Sequence, residues 1–447
     1  MDTSIFKAYD VRGKVGTQLT TEVAERIGKA LADWLPDDGA VAVGFDMRPD
    51  SKQLAEALAE GLRLQGREVV NIGQVASDML YFAVGSLKLA GGAMVTASHN
   101  PGDDNGIKLC REQARPIGIE SGLADIRDAA EANNFVPSAQ KASETQKNIM
   151  ADWVQHALGF VDASAWPAYH FAVDAGNGMA GAVMPVLQEF LPRNVAITPM
   201  YWELDGTFPN HLANPLEPKN LLDVQAKVKA EGLDFGLAFD GDGDRAVLID
   251  ETGEPVTGTV MTAILARYFL EKHPGATILY NAICGRVVPE IVAEYGGTSE
   301  RTRVGHSFIK QKMREHDAVF AGEHSGHYYF RDNFSADSGL IAALVAIQVL
   351  AESGGSLSEL AKEYKRYMAI PETNFEVADK EAVIEAVKQA FPEADQDELD
   401  GLTLNFTDGW INVRPSNTEA VLRLNGEAAT QLRLDELVGA VRGIIEG

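Results

Sequence analysis

Residues 235–245 read Phe-Gly-Leu-Ala-Phe-Asp-Gly-Asp-Gly-Asp-Arg, an apolar run that ends abruptly in three aspartates. The apolar part predicts a buried strand, and the two glycines let the backbone turn tightly as it leaves that strand. Asp240, Asp242 and Asp244 lie so close together that their carboxylates repel one another unless positive charge lies among them. A divalent cation is the simplest source of that charge. Mg²⁺ is favoured because it keeps positions open for water or phosphate oxygens.

Two other interpretations of this loop are weaker. If Asp240 is position one of a calcium loop, Glu251 falls at position twelve, but Arg245 stands at position six, where that loop needs glycine. The flanking segments are also strand-like rather than helical. A solvated acidic turn is the second alternative, and it is disfavoured because the acids directly follow a buried strand.

Length and composition predict a multi-domain globular protein. The 447 residues correspond to about three domains by the usual size range. Hydrophobic residues make up 45% of the chain, which is enough for a substantial core. The formal net charge of −26 argues against nucleic acid and against an anionic membrane surface as partners. An anionic ligand would therefore need positive charge concentrated locally.

The two cysteines, Cys110 and Cys284, imply no disulfide framework and fit a reducing cytoplasm. The first ten residues show neither the basic nor the apolar region of a signal peptide. The longest apolar run, residues 339–350, is too short to span a bilayer and predicts a buried helix. These features predict a cytoplasmic protein.

A repeated pattern organises most of the chain. Strands predicted near residues 41, 171 and 277 each lead into a turn and a helix. Later apolar strands, near 96, 240 and 323, each end in a charged or hydroxyl-rich loop. We therefore predict three related α/β units whose functional loops lie beyond the carboxyl ends of strands. The last eighty or so residues differ and predict a small α+β domain.

Residues 96–101, Thr-Ala-Ser-His-Asn-Pro, contain the one convincing nucleophile of the chain, Ser98. A serine is a weak nucleophile unless a base activates it. Alternatively it could carry a phosphoryl group whose oxygens bind the metal held by the aspartates. An ordinary turn serine is the competing interpretation.

Two more loops have compositions that suit a sugar phosphate. Residues 414–418, Arg-Pro-Ser-Asn-Thr, offer a guanidinium fork, hydroxyls and an amide, which suit phosphate, although a polar turn with a solvated arginine has the same composition. Glu323, Ser325 and His327 alternate, which places their side chains on one face if the segment is extended. They could bind sugar hydroxyls, and His327 could move a proton, although each alone is an ordinary loop residue. Together the loops indicate phosphoryl transfer on a phosphosugar.

Four motifs in this order, at 96–101, 240–245, 322–327 and 414–418, resemble those of the α-D-phosphohexomutase family across essentially the whole chain. The resemblance implies three related mixed-sheet α/β domains and a smaller C-terminal α+β domain around a central cleft. The expected bounds are 1–147 for a phosphoserine domain, 148–254 for a metal-binding domain, 255–366 for a sugar-binding domain and 367–447 for a phosphate-binding domain.

The resemblance also implies a mechanism. Ser98 would be a phosphoserine bound to one Mg²⁺ together with Asp240, Asp242 and Asp244. It would donate its phosphoryl group to a hexose monophosphate, and a hexose 1,6-bisphosphate would serve as intermediate and activator. The implied substrate-binding residues are Tyr9, Arg245, His306, Glu323, Ser325, His327, Arg414, Ser416, Asn417 and Thr418.

Arg12, Lys108 and His327 match family positions for proton transfer. Lys108 is favoured because the pKa of a lysine can fall beside other cations, whereas arginine stays protonated, so Arg12 would stabilise charge. One departure concerns Ile283, which stands where bifunctional members carry a basic residue, and another is Ala420 in place of a frequent proline.

Within the family, residues 6–13, Phe-Lys-Ala-Tyr-Asp-Val-Arg-Gly, resemble the phosphomannomutases. We therefore expect interconversion of mannose 6-phosphate and mannose 1-phosphate, with possible action on glucose phosphates, by a monomer or homodimer. Phosphoglucosamine mutase is the alternative enzyme. A serine hydrolase using Ser98 with His99 is disfavoured because adjacent residues rarely align and no Gly-x-Ser-x-Gly elbow occurs. A cation-binding protein without catalytic activity is the last alternative.

Overall fold

The computed structural model describes residues 1–36, 38–416 and 421–447. The chain forms three mixed-sheet α/β domains and a smaller C-terminal α+β domain. This architecture is the one expected from the sequence. The domains follow one another along the chain, and each is built around its own β-sheet.

The first domain contains the largest sheet. Its strands are β1 Val11–Lys14, β2 Val41–Phe45, β3 Val69–Gln74, β4 Gly91–Val95, β5 Asp104–Arg111, β6 Arg115–Pro116 and β7 Glu144–Gln146. Its helices are α1 Thr21–Trp34, α2 Ser51–Leu64, α3 Ser77–Ser86 and α4 Leu123–Ala132. The strand order is β1-β5-β4-β2-β3-β7, and β6 pairs with β5.

The second domain has a four-stranded sheet. Its elements are α5 Met150–Leu158, β8 Tyr169–Asp174, α6 Ala180–Phe190, β9 Val195–Met200, α7 Leu222–Glu231, β10 Phe235–Phe239 and β11 Ala246–Asp250. The strand order is β11-β10-β8-β9. The predicted buried strand is β10, and all five of its residues are buried.

The third domain has a five-stranded sheet. Its strands are β12 Thr277–Asn281, β13 Thr298–Thr302, β14 Phe320–Gly322, β15 Tyr328–Phe330 and β16 Ala336–Asp337. Its helices are α8 Gly258–Lys272, α9 Val287–Glu294, α10 His306–Glu315, α11 Gly339–Ser353 and α12 Leu357–Tyr364. The strand order is β13-β12-β14-β15-β16.

The fourth domain is mostly antiparallel. Its elements are β17 Met368–Ala369, β18 Thr373–Phe375, α13 Lys380–Ala390, β19 Asp395–Asp397, β20 Leu402–Phe406, β21 Gly409–Pro415, β22 Leu422–Ala428 and α14 Gln431–Glu446. The strand order is β17-β22-β21-β20-β19, and β18 also pairs with β22.

The first three domains repeat one topology. In each, an early strand (β2, β8 or β12) pairs in parallel with a later one (β4, β10 or β14). The later strand then pairs antiparallel with its successor in the chain (β5, β11 or β15). The prediction of three related units is therefore confirmed. The three polar loops begin at the ends of β4, β10 and β14, which places them where ligands gather in such sheets.

The fourth domain also differs in its packing. One hydrophobic cluster runs from the first domain through the second to the third, and the first domain also has a cluster of its own. The apolar residues of the fourth domain form a separate cluster, centred on β20, β21, β22 and α14. The first three domains thus share a core, whereas the fourth is packed as a unit of its own.

No helix in the described part of the chain is both long enough and apolar enough to cross a membrane alone. Helices α11 and α12 pass that test only as a pair, which is bent by 98°. The twelve residues 339–350 of α11 are all buried, as predicted for this apolar run.

Candidate active site

The serine loop begins at the end of β4 and is held by buried groups. Ser98 has a left-handed backbone conformation (φ 50°), and its amide donates to the Thr96 hydroxyl at 2.9 Å. The buried Arg48 guanidinium donates to the main-chain carbonyls of Ser98 at 2.8 Å and of Asn100 at 2.6 Å. Arg48 was not among the predicted site residues, although its position just after β2, the strand beside β4, was a usable signal. These contacts fix the direction of the Ser98 side chain.

The serine loop of the first domain contacts the aspartate loop of the second. The Ser98 hydroxyl donates to Asp240 Oδ2 at 2.7 Å. The approach is close because Gly241 has no side chain, and a Cβ there would lie 2.3 Å from the Ser98 carbonyl oxygen. The predicted nucleophile and the predicted metal loop are therefore in direct contact.

Asp240, Asp242 and Asp244, here called the acidic cluster, are all buried. Lys108 Nζ lies 2.6 Å from Asp242 Oδ2 and 2.6 Å from Asp244 Oδ2. Arg245 Nη2 lies 3.0 Å from Asp240 Oδ2. Burial and the neighbouring Asp244 raise the pKa of Asp240 to about 7. Burial also disfavours the charged form of Asp242, but Lys108 outweighs it and lowers the pKa of that carboxyl.

The acidic cluster fits a bound cation. One carboxylate oxygen from each of the three aspartates lies within 4.8 Å of the others. The Oδ1 atoms of Asp242 and Asp244 are buried, and neither has a hydrogen-bond partner among the described residues. Buried unpaired carboxylate oxygens are costly unless something positive binds them. An all-oxygen donor set is the one that Mg²⁺ prefers.

Lys108 and Arg12 reach the same region from β5 and β1. The pKa of Lys108 is raised well above its ordinary value, because Asp242 and Asp244 outweigh the effect of burial. The predicted fall of the Lys108 pKa beside other cations is not observed, because the nearest charged groups are carboxylates. Arg12 Nε donates to Asp10 at 2.8 Å, and its Nη1 is buried with no partner among the described residues.

His99 is in contact with Ser98, contrary to the expectation that adjacent residues do not align. The Ser98 hydroxyl and His99 Nδ1 are 3.2 Å apart, a contact made possible by the left-handed backbone at Ser98. However, Arg245 Nη2 lies 2.5 Å from the same nitrogen. Burial and Arg245 lower the pKa of His99 well below its ordinary range, which makes it a weak base. A hydrolase that relies on His99 therefore remains disfavoured, for a different reason.

The loop at 323–327 is a tight turn and not an extended segment. The Glu323 amide donates to the His327 carbonyl at 2.9 Å, and the Gly326 amide donates to the Glu323 carbonyl at 3.1 Å. The condition under which the three side chains would share one face, an extended segment, is therefore not met. The reason is that β14 and β15 are antiparallel neighbours, which requires a reversal between them. Ser325 lies in this turn and is half-buried.

The side chains of this turn are held in different surroundings. Glu323 is buried and accepts a hydrogen bond from Asn281 Nδ2 at 3.1 Å and another from the Tyr329 hydroxyl. His327 Nδ1 lies 3.0 Å from Asp337 Oδ2 and 3.8 Å from Asp244 Oδ1 of the acidic cluster. His327 therefore links the third domain to the acidic cluster.

Tyr9 and His306 lie together where the first and third domains meet. The Tyr9 hydroxyl donates to the Val304 carbonyl at 3.1 Å, and the Tyr9 and His306 rings are 5.2 Å apart in an edge-to-face arrangement. Burial, followed by the charge of Lys310, lowers the pKa of His306 well below its ordinary value. Ile283, the departure from the bifunctional members, is buried.

The sequence predicted that Arg414 lies in a loop. In the structure Arg414 lies at the end of strand β21 instead. It is buried and belongs to what we call the arginine cluster: Arg414, Arg423, Asn425 and Glu372. The amide of Ser416 donates to the Val421 carbonyl at 2.9 Å. The predicted phosphate-binding residues Asn417 and Thr418, and the departure at Ala420, lie outside the described residues.

The structure thus brings most of the predicted residues into two groups. Ser98, Lys108, Arg245 and His327 contact the acidic cluster, and three domains contribute to it. Arg414 belongs to the arginine cluster of the fourth domain. A hydroxyl nucleophile against buried carboxylates, with basic groups beside it, can transfer a phosphoryl group when a metal is bound.

Comparison with known proteins agrees with this chemistry. Four models of the phosphoglucomutase/phosphomannomutase family match the chain: alpha/beta/alpha domain I at residues 3–136, domain II at 151–253, domain III at 257–367 and the C-terminal domain at 372–444. The chain therefore belongs to this family. Like its relatives, it is a phosphohexomutase, an enzyme of the isomerase class.

Individual relatives cover nearly the whole chain. A protein named for phosphohexose mutases from Xanthomonas campestris pv. campestris is 40% identical over 99% of this chain and 100% of its own length. A phosphomannomutase from Salmonella montevideo is 40% identical over 96% of each chain. The crystal structure of a phosphoglucomutase/phosphomannomutase family protein from Burkholderia thailandensis superposes with a TM-score of 0.91, at 32% identity, over 100% of this chain and 98% of that one.

Proposed function

We propose that the enzyme interconverts mannose 6-phosphate and mannose 1-phosphate, and that it also acts on glucose phosphates. The observation that carries the proposal is the contact of the Ser98 hydroxyl with Asp240 inside a cluster of carboxylates that fits Mg²⁺. The phosphomannomutase relative at 40% identity favours mannose over the amino sugar of the alternative, phosphoglucosamine mutase. The proposed bound species are one Mg²⁺ and a hexose 1,6-bisphosphate.

In the proposed reaction Ser98 carries a phosphoryl group. When bound, Mg²⁺ neutralises negative charge on the phosphoryl oxygens. The bond between Ser98 Oγ and phosphorus breaks, and a bond forms between phosphorus and a hydroxyl oxygen of the sugar phosphate. The product is a 1,6-bisphosphate. Its other phosphoryl group then returns to Ser98 Oγ, which leaves the isomeric monophosphate.

Each transfer also moves one proton. In the first transfer the attacking sugar hydroxyl loses its proton and the released Ser98 Oγ takes one up. In the second transfer the Ser98 hydroxyl loses its proton and the released sugar oxygen takes one up. Lys108 is our candidate for this exchange, because a cation bound to Asp242 and Asp244 would take from its Nζ the two carboxylates that now raise its pKa. Arg12 is the candidate for stabilising charge, since it stays protonated and carries a buried donor with no partner among the described residues.

The remaining proposed roles concern orientation of the substrate. Glu323 and Ser325 are our candidates for binding sugar hydroxyls, with His327 beside them. Arg414 is our candidate for clamping the phosphate that does not react, together with Ser416 and the residues Asn417 and Thr418 that lie outside the described part. Tyr9, Arg245 and His306 are proposed to contact the substrate from the first three domains.

A rate comparison tests the substrate. With Mg²⁺ and glucose 1,6-bisphosphate present, we expect kcat/KM to be highest for mannose 1-phosphate, lower for glucose 1-phosphate and lowest for glucosamine 1-phosphate. The highest value on glucosamine 1-phosphate would instead establish the alternative enzyme. Activity that survives complete chelation with EDTA would refute the metal-dependent mechanism.

A further inference from the structure

The arginine cluster is organised around one carboxylate. Glu372 Oε2 accepts from Arg414 Nη2 at 3.0 Å and from Asn425 Nδ2 at 3.1 Å, and its Oε1 accepts from Arg423 Nη1 at 2.8 Å. Glu372 lies between strands β17 and β18, whereas its three partners lie on strands β21 and β22. One side chain of this short connection thus joins two strands of the sheet.

The two arginines need this carboxylate because their positions in the sheet bring two positive charges together. Arg414 and Arg423 are directly opposite each other in the antiparallel pair of β21 and β22. Like charges at such positions destabilise a sheet, and Arg414 is buried, which increases the cost. Burial also disfavours the charged form of Glu372, but Arg414 and Arg423 outweigh it and lower its pKa. Glu372 is therefore ionised at neutral pH and offsets one of the two positive charges.

Glu372 occupies only part of the Arg414 fork. The ion pair uses Nη2, while Arg414 Nε is buried and has no hydrogen-bond partner among the described residues. The cluster lies close to the turn of the third domain, since both Glu372 and Arg414 influence the pKa of His324, which burial lowers. A guanidinium that is anchored on one side and has a donor left over is suited to bind a second anion.

We infer that Glu372 is a positioning residue for substrate phosphate. It holds Arg414 and Arg423 as one unit, so that the Arg414 fork faces the phosphate of a bound sugar phosphate. The inference rests on the proposed role of Arg414 as phosphate clamp. Glutamine cannot take the place of Glu372, because all three partners are donors and the NH₂ of a glutamine would face at least one of them.

Steady-state kinetics of Glu372→Gln test this inference. We expect KM for the sugar phosphate to rise about tenfold, which is the loss of roughly one charge-assisted hydrogen bond, while kcat changes less than about threefold. The reason is that a non-reacting phosphate is bound equally in the ground state and the transition state. Glu372→Asp, which keeps the carboxylate, should recover part of the KM.

Glu398→Gln is the matched control, because Glu398 is exposed in the same domain and pairs with Lys388. It should leave KM unchanged. Arg414→Ala separates the two claims. If Arg414→Ala does not raise KM, the proposed clamp is refuted, and the inference with it. If Arg414→Ala raises KM but Glu372→Gln behaves like the control, lowers KM, or reduces kcat instead, only the inference is overturned.

Discussion

The acidic cluster and the arginine cluster both bring side chains of like charge together, but the charge is negative in the first and positive in the second. In the first, three carboxylates are contacted by two cations, Lys108 and Arg245. In the second, two guanidiniums are contacted by the single carboxylate of Glu372. By this count, carboxylates outnumber lysine and arginine by one in the acidic cluster, and guanidiniums outnumber carboxylates by one in the arginine cluster. The comparison teaches that each cluster keeps an excess of the charge opposite to that of the ligand it is suited to bind.

The two clusters also differ in how the chain builds them. Lys108 reaches the acidic cluster from the first domain, across 134 residues of sequence from Asp242. The arginine cluster is local, because Glu372 is separated from Arg414 by 42 residues and from Asn425 by 53. The acidic cluster therefore depends on the docking of domains, and the arginine cluster depends on the folding of one domain.

Removal of the nucleophile should have the largest effect at the acidic cluster. We expect Ser98→Ala to reduce kcat by at least about a thousandfold, because the Ser98 hydroxyl is the proposed carrier of the phosphoryl group. Intact-mass measurement should also show that a phosphate adduct present on the purified enzyme is lost. Ser164→Ala, at an exposed serine, should retain both activity and adduct. Full activity in Ser98→Ala would mean that the acidic cluster has another purpose.

Loss of one proposed metal ligand should lower activity less than Ser98→Ala does, and added Mg²⁺ should partly restore that activity. We expect Asp242→Asn to lower kcat about a hundredfold and to raise the Mg²⁺ concentration needed for half-maximal rate. Glu372→Gln should leave that Mg²⁺ requirement unchanged, because the arginine cluster is proposed to bind only the anion. A shift of the Mg²⁺ requirement in both variants would remove the distinction between the two clusters.

The smallest expected effect is a pH dependence of metal-induced stability. Without metal, the pKa of Asp240 in the folded protein is about 7, whereas the ordinary pKa of an aspartate is 3.8. The stability from this raised pKa is fully present below 3.8 and is lost as the pH rises through 7. Since Mg²⁺ competes with the proton, it should raise Tm by about 3 °C more at pH 8 than at pH 5.

Thermal unfolding in Mg²⁺ and in EDTA at both pH values measures this difference. In Asp240→Asn the difference between the two pH values should disappear, because the titrating group is absent. An equal Mg²⁺-induced rise at pH 5 and pH 8 in the unmodified enzyme would contradict the expectation that Asp240 exchanges its proton for the metal.

The sequence predicted the fold wherever local chemistry decides it. Polar turns follow strands β2, β4, β8, β10, β12 and β14. This repeated change from an apolar strand to a polar turn was sufficient to predict three related units. The short edge strands were not predicted. Strand β7 consists of Glu-Thr-Gln, which reads as a polar linker, and it becomes a strand only because it pairs with β3. Such pairing depends on tertiary structure and leaves no local signal.

The candidate site was predictable in its residue types and less so in its surroundings. The spacing of the three aspartates and the composition of the Ser98 loop were sufficient to predict the kind of chemistry. The direction of the Lys108 pKa was missed, because its neighbours come from another domain. Glu372 was missed because it follows a proline in a segment that reads as a linker, and its partners are known only once the sheet is formed.

The close approach of Gly241 to Ser98 has a consequence for synthesis of the enzyme. Asp240, which accepts the hydrogen bond from the Ser98 hydroxyl, lies 142 residues further along the chain. A ribosome therefore completes the first sheet well before Asp240 emerges, so that the newborn serine loop exists for a time without its carboxylates. During this interval Ser98 lacks the carboxylates that are proposed to hold the cation, so that in the proposed mechanism it becomes competent to take up phosphate only when the next domain has docked.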